Sequence, residues 1–514
     1  MRYSRCLPYQ LIHRIAQLAP RLQPEQMHRV ISVYGLEDCV ELVAHATPAQ
    51  LSRVFDLDLW RPARPGLDDQ FDAERFGVWI EVLVEAGADL AAEKLSQIPV
   101  EQLIAGFAHH VRVFDIAAIE AYDTIDGERI ESRAPDAAIA FKIGGYHLAA
   151  RREDAWEAIV AVLLSLDVHH RCRFDELMSV LRSLSDSGHE VDGLNALLDP
   201  GEQMMFDAGT GREGRRSKEG FASPADARAF LHMSRSVRPG AVPPSNPLAR
   251  AYFRSIDMSP ALVEGHAPTA DADAEIMELL TEAGVVPPRA PAGLLTGEHD
   301  PSSGRLADMY RHMRFVFERN PAAYDERHSE LAYLANALIA GCSIQSRPFT
   351  AKEASDAVAA VCNLGLSRSP LPDDYLIHHD LIGIFQIGWT ALHEEVGMYA
   401  ARALIDVAGS LRCADKDVQS GLKTLRIAMR RQVKAGTPWC AEPSLDVIAM
   451  LDQPAWAALA GLIAECPVIH DALTASLTGR ATAIDPHAFT FISSSADIAN
   501  VRAFMASLPD RLGC

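Results

Sequence analysis

The chain has 514 residues, with 48 Lys+Arg against 69 Asp+Glu, a formal net charge of −21, 48% hydrophobic and 23% charged residues. That length exceeds what one hydrophobic core organises, so about two or three domains are expected, and the composition is that of a folded chain rather than a disordered one. The acidic excess repels a phosphate backbone and argues against nucleic acid unless a basic patch is locally concentrated.

The opening stretch, MRYSRCLPYQLIHRIAQ, has no uninterrupted apolar core of signal-peptide type and turns polar again at His13 and Arg14. The two most apolar segments, LAYLANALIAGCSI and WAALAGLIAECPVI, are each 14 residues long. A bilayer needs about 20, so both read as buried helices and no membrane insertion is expected. The 9 cysteines are scattered without a C-x-x-C pair, which speaks against a disulfide framework and points to the cytoplasm.

Residues 1–115 show helix periodicity and no competing strand pattern. Leu51, Val54, Phe55 and Leu59 form one apolar stripe, and Leu103, Phe107, Val111 and Phe114 form another. Helices open repeatedly on proline: PEQM at Pro24, PAQL at Pro48, PVEQL at Pro99 and PGEQM at Pro200. Proline suits the first helical turn because the N–H it lacks has no intrahelical partner there. The recurrence suggests degenerate helix pairs stacked as a short solenoid, each burying its apolar face on the next. This stretch resembles the helical N-terminal domain of the magnesium transporter family, a likeness of pattern that transfers no metal ligand.

Residues 116–235 read as a mixed region. DAAIAFKIGGYHLAA suggests a small hairpin around Gly144 and Gly145, followed by a helix through Trp156, Ile159, Val160 and Leu163. A literal G-x-G-x-x-G at Gly209, Gly211 and Gly214 follows DPGEQMMFDA, which reads as helix, so the βαβ context of a dinucleotide fingerprint is missing. What remains is a loop carrying Arg212, Arg215, Arg216 and Lys218, with Ser223 as N-cap and Pro224 opening the next helix. Arginines beside a helix N-terminus can hold a phosphate or carboxylate, so Arg212, Arg215 and Arg216 are candidate ligands for a small anion; the alternative is salt bridging to acidic neighbours.

Residues 236–305 hold ten of the 30 prolines and read as an extended connector. From 306 to 514 long helices return: ELAYLANALIAGCSI is apolar on nearly every face, placing it at a bundle centre, and Thr350 stands in capping-box relation to Glu353 in RPFTAKEASDAVAAVCNLGL. ISSSAD, at 492–497, reads as a strand end running into a capped helix. These passages, with GREGRRSKEGFASPADARAFL and ALHEEVGMYAARALI, resemble an uncharacterised bacterial family of helical proteins of about this size. The resemblance implies a mostly α fold and no assigned chemistry.

The last candidate lies in DLIGIFQIGWTALHEEVGMY. At 100° per residue, His379, Gly383, Thr390, His393 and Gly397 fall within about 60° of Gln386, with Glu394 near 80° and Glu395 opposite. One face is polar or small, and the rest is Ile, Phe, Trp and Leu. Such a stripe is either a structural seam, closed by a second helix at the glycines, or a pocket wall with His393 and Glu394 as acid, base or ligand and Asn336 or Tyr333 facing them. No H-E-x-x-H, G-x-S-x-G or P-loop is present, and adjacent His378 and His379 diverge on a helix, so neither a metal nor a cofactor is assigned. The favoured expectation is a cytoplasmic, non-enzymatic helical interaction or regulatory protein meeting a protein partner. The alternative is a sensor or enzyme using the His393 face, with the arginine loop holding an anionic small molecule.

Overall fold

The computed structural model describes residues 9–62, 68–115, 139–186, 200–235, 237, 246–257, 270–285, 304–342, 348–368, 371–410, 423, 426–427, 430–431, 433–434 and 491–506. Its architecture is mostly α with two small sheets. The segment WAALAGLIAECPVI lies outside the described residues. No described helix is long and apolar enough to cross a membrane.

The chain divides into two compact units. One comprises Met1–Arg61, Asp69–Arg215 and Ala261–Thr296; the other comprises Pro62–Asp68, Arg216–Pro260 and Gly297–Cys514. The segments 116–235 and 236–305 are therefore each shared between the units. The proline-dense stretch also contains helices, Pro247–Asp257 and Ala270–Glu282. The second of these buries Ile276, Leu279 and Leu280 in the core of the first unit, because an amphipathic face finds a core even when prolines flank it.

In the first unit, helices Tyr9–Gln17, Pro24–Tyr34 and Pro48–Asp58 contribute Ile15, Met27, Leu51, Val54 and Phe55 to that core. Thr47 and Gln50 form a reciprocal capping box around Pro48. Ring pairs Phe55–Trp79 at 5.1 Å and Phe76–Phe107 at 5.3 Å join Pro48–Asp58 to Ala73–Ala86 and Val100–His110.

Strands do occur here, contrary to the helical reading of 1–115: β1 (Trp60–Pro62) and β2 (Asp69–Phe71) pair with each other, and β3 spans Val111–Asp115. The helix carrying Leu103 and Phe107 stops at His110, so Val111 and Phe114 leave its stripe. The alternation of buried Val111 and Val113 with exposed Arg112 has period two, and β-branched valines fit that pleat. β4 (Ala140–Ile143) and β5 (Tyr146–Ala150) form the expected hairpin, its turn made by Gly144 and Gly145 at φ +54° and +89°. Two successive positive φ values are the conformation glycine supplies without strain. The sheet is antiparallel with order β3-β5-β4, and helices Trp156–His169 and Arg171–Asp186 follow it in the chain.

In the second unit the core gathers Phe230, Tyr333, Leu334, Leu338, Val358, Cys362, Phe385 and Trp389. Helix Pro321–Gly341 runs through it, and the Thr350–Glu353 capping box opens Ala351–Arg368. Helix Leu381–Leu392 is buried along its whole length. A Cβ on Gly365 would stand 2.1 Å from the Ile384 carbonyl oxygen, and one on Gly388 would stand 2.1 Å from that of Val361. The two helix backbones therefore touch at these glycines, whereas the sequence reading put the close approach at Gly383 and Gly397. Gly388 lies about 200° from Gln386, so the approach uses the face opposite the polar stripe. At 491–493 the backbone is irregular rather than a strand, and Ser494 caps Ser495–Ala506 through its Oγ, which accepts from Asp497 N at 3.2 Å.

Candidate functional site

The polar stripe of Leu381–Leu392 closes on a main-chain segment of its own unit. Asp380 caps the helix, its Oδ1 accepting from Gly383 N at 2.9 Å. Thr390 Oγ1 donates to the Ser234 carbonyl at 2.8 Å and accepts from Val237 N at 3.2 Å; Gln386 Nε2 donates to Ser234 Oγ at 3.4 Å. Ser234 Oγ in turn donates to the Phe230 carbonyl at 2.8 Å. Gln386, Thr390 and Ser234 are all buried, so each bond satisfies a group that would otherwise be desolvated without a partner.

Beyond Leu392 the helix changes pitch. His393–Gly397 forms a π-helical turn before α geometry resumes at Met398. A π turn inserts about one residue, rotating later positions by about 100° relative to the α wheel. His393 is half-buried, Glu394 is exposed, and Glu395, placed opposite by the wheel, is the carboxylate that Arg368 holds in a two-pronged ion pair, Nη2 to Oε2 at 2.9 Å.

The remaining stripe candidates go elsewhere. His379 follows Tyr375–His378 and precedes Asp380, so it lies outside the Leu381 helix and stacks on Tyr375 at 4.3 Å between centroids. Asn336 Nδ2 donates to the Gly220 carbonyl at 2.8 Å and approaches the Tyr252 hydroxyl at 3.4 Å, rather than facing His393. Tyr333 packs on Phe230 and Tyr252, and burial raises its hydroxyl pKa.

Sequence reasoning missed a buried ionic pair beside this helix. Arg327 Nη1 donates to the carbonyls of Leu376 and His379 at 3.1 and 2.6 Å, and its Nε lies 2.9 Å from Glu330 Oε2. That last contact is a buried ion pair. Glu330 Oε2 accepts from Leu381 N at 2.7 Å. Burial, the largest influence, pushes the Glu330 carboxyl up to about 7, against the Leu381 amide and Arg327, which both favour the charged form. The only sequence signal was an Arg and a Glu at i, i+3 on an otherwise apolar helix.

The arginine stretch of the first unit is helix, not loop: Pro200–Lys218 runs through the G-x-G-x-x-G. Arg212 Nε donates to the Asp56 carbonyl and Nη1 to Asp69 Oδ2, both at 2.7 Å, with its guanidinium over the Trp60 ring. Arg215 grips the Asp56 carboxylate with two bonds of 2.7 and 2.6 Å, and Gln102 Nε2 adds a third at 2.6 Å. Asp58, two residues on, accepts from Arg75 Nε at 2.6 Å and Trp79 Nε1 at 2.7 Å. Burial works to raise its pKa, but the bonds from His28, Arg75 and Trp79 outweigh it and hold the carboxyl below the usual range. Arg216, in the second unit, lies over the Phe221 ring at 4.9 Å. The helix aims Arg212 and Arg215 at Asp56 and Asp69, more than 140 residues away in sequence, a pairing with no local signature.

Among the described residues no group of three or more His, Cys, Asp or Glu is arranged to hold a metal. Burial pushes the Cys39 thiol up to about 12 and raises Cys342 and Cys362 also, so none of the three is an activated nucleophile. The chain is similar over residues 12–192 to a family of unknown function (DUF6178). No curated protein and no solved structure matches it.

Proposed function

We propose that the protein is a non-enzymatic helical interaction protein that docks a protein partner on the first unit. The observation that carries this reading is an apolar stripe on the outward side of helix Trp156–His169. Its inner side buries Ile159, Val162, Leu163 and Leu166, while Leu164 and Val168, one turn apart, are 39% and 71% exposed. A surface helix ordinarily carries polar residues there, and adjacent exposed apolar side chains mark a place where another element packs. The proline-opened helices Pro24–Tyr34 and Pro48–Asp58, if read as stacked helix pairs, fit the same role. So does the commitment of Gln386, Thr390, Arg212 and Arg215 to internal bonds.

The test is a native pull-down with quantitative mass spectrometry, comparing wild type with the double variant Leu164→Glu, Val168→Glu. The expected outcome is a protein retained by the wild type and lost from the variant at unchanged melting temperature. Retention that ignores the two charges, or none in the wild type, ends the reading.

One observation favours a second reading, a small-molecule sensor or enzyme on the His393 face: π turns interrupt helices disproportionately at functional sites, and His393 lies in one. A ligand that co-purifies with wild type and is lost from His393→Ala at unchanged melting temperature would favour it.

A further inference from the structure

The β3-β5-β4 sheet has two unlike faces. Residues paired directly across an antiparallel ladder point to the same side, and alternate residues point to opposite sides. One face carries Val111, Val113, Leu148 and Ile143, all in the core. The other carries three rows. Phe114, His147 and Lys142 make the first, and Arg112, Ala149 and Ala140 the second. Arg151 begins the third, its N–H continuing the ladder to the His110 carbonyl at 2.8 Å.

Among the described residues this outward face holds Arg112, Lys142, Arg151 and His147 and no acidic residue, on a chain of net charge −21. Arg112, Lys142 and Arg151 are exposed, and His147 is half-buried. Among the described residues none of the four makes an ion pair, whereas Arg152, next in the chain, engages Glu74 at 2.8 Å and Asp154 at 3.0 Å. Asp115, the acidic end of β3, belongs to the inner face and pairs with Arg182 at 2.9 Å. Arg112 and Arg151 sit diagonally across Ala149, a spacing of about 7–8 Å that suits an anion between two guanidinium groups. Desolvation lowers the Arg151 pKa, and the Arg112 guanidinium adds to it as the lesser cause.

Size selects the occupant. Three strands at about 4.8 Å spacing and five residues at about 3.4 Å rise give a face of roughly 10 by 14 Å. A protein partner needs on the order of 800 Å² per side, several times this area. A long nucleic acid strand would outrun the patch on a chain whose net charge of −21 repels it. We propose that the outward face of this sheet binds a compact phosphate-class anion between the guanidinium groups of Arg112 and Arg151, whose side chains rise above buried Ala149 beside exposed Ala140, with Lys142 and His147 at the rim. The site is independent of the docking stripe at Leu164 and Val168.

The experiment is isothermal titration of the full chain with inorganic phosphate at constant ionic strength. It compares wild type with Arg112→Ala, Arg151→Ala, the charge-conserving Arg112→Lys and the remote surface variant Arg14→Ala, and melting curves check each fold. The expected result is saturable binding by wild type and Arg14→Ala, a loss of about tenfold or more in each of the two sheet alanine variants, and a smaller loss in Arg112→Lys. The double variant Leu164→Glu, Val168→Glu binds phosphate as wild type does. Absence of saturable binding, or equal affinity in the arginine variants, overturns the proposal. So does a short single-stranded oligonucleotide or acidic peptide that binds through the same arginines while phosphate neither binds nor competes.

Discussion

Buried polarity is handled differently in two places. Around Asp56 and Asp58, in the first unit, the groups are ion-paired: two carboxylates 4% exposed or less are held by Arg215 and Gln102 at Asp56 and by Arg75 and Trp79 at Asp58, while Arg212 bonds the Asp56 carbonyl. Along Leu381–Leu392, in the second unit, they are neutral, an amide and a hydroxyl closing on Ser234 and Val237. A buried carboxylate in an ion pair depends on its partner, and removing one side leaves a charge that is only partly screened, since the Arg215 and Arg75 side chains are 29% and 19% exposed. A neutral group forfeits only a hydrogen bond and the desolvation of its partner. The first arrangement is therefore more fragile to single substitutions, although it need not be the more stabilising.

The sharpest way to break that comparison is Asp56→Ala. It strands Arg215 and Gln102, and chemical denaturation should show a loss of about 3–5 kcal/mol. A loss under about 1 kcal/mol would mean that solvent reaches the pair and that the contrast between the two regions is false.

Glu330 tests the contrast inside the second unit, where one buried carboxyl adjoins the neutral seam. Its folded pKa, raised to about 7 by burial, stands above the unfolded value near 4.5. Between these values the folded state binds more protons than the unfolded, so stability falls as pH rises from about 4.5 to 7 and the full penalty is present above 7. The shift corresponds to on the order of 3 kcal/mol. Glu330→Gln keeps an acceptor for Leu381 N and removes the charge. Urea denaturation at pH 5 and pH 8 should show that the variant lacks this part of the wild-type slope, whereas parallel profiles would place the Glu330 pKa at its ordinary value.

The smallest effects separate Thr390 from Glu394. Thr390→Val leaves the Ser234 carbonyl and Val237 amide unpaired and should cost about 1–3 kcal/mol. Glu394→Ala, at an exposed position, should fall within about 0.5 kcal/mol. Equal losses in thermal denaturation would show that the seam extends past Leu392 through the π turn.

Local signals in the sequence determined much of this fold. Proline openings at Pro24 and Pro48, the Thr350–Glu353 box, the Ser223 cap and the Gly144–Gly145 turn are short-range chemistry, where a side chain meets its own backbone a few residues away. The mostly α class and the buried Leu381 helix followed from periodicity alone. Tertiary structure decided what each polar group does. The sequence left Arg212 and Arg215 either as anion ligands or as salt-bridge partners of acidic neighbours, and it could not name Asp56 and Asp69, which come from elements more than 140 residues away. The helical wheel put Gln386 and Thr390 on the polar side and Glu395 opposite, where Arg368 meets it, but the π turn at His393–Gly397 has no sequence signature and only the packed structure shows it. The basic sheet face is invisible in the linear chain: Arg112, Lys142, His147 and Arg151 lie 39 residues apart from first to last, and only the strand register of β3, β5 and β4 places them on one side. Local structure depends on neighbours in sequence, whereas the use of a charge depends on which distant backbone brings its partner, and that is settled only when the chain packs.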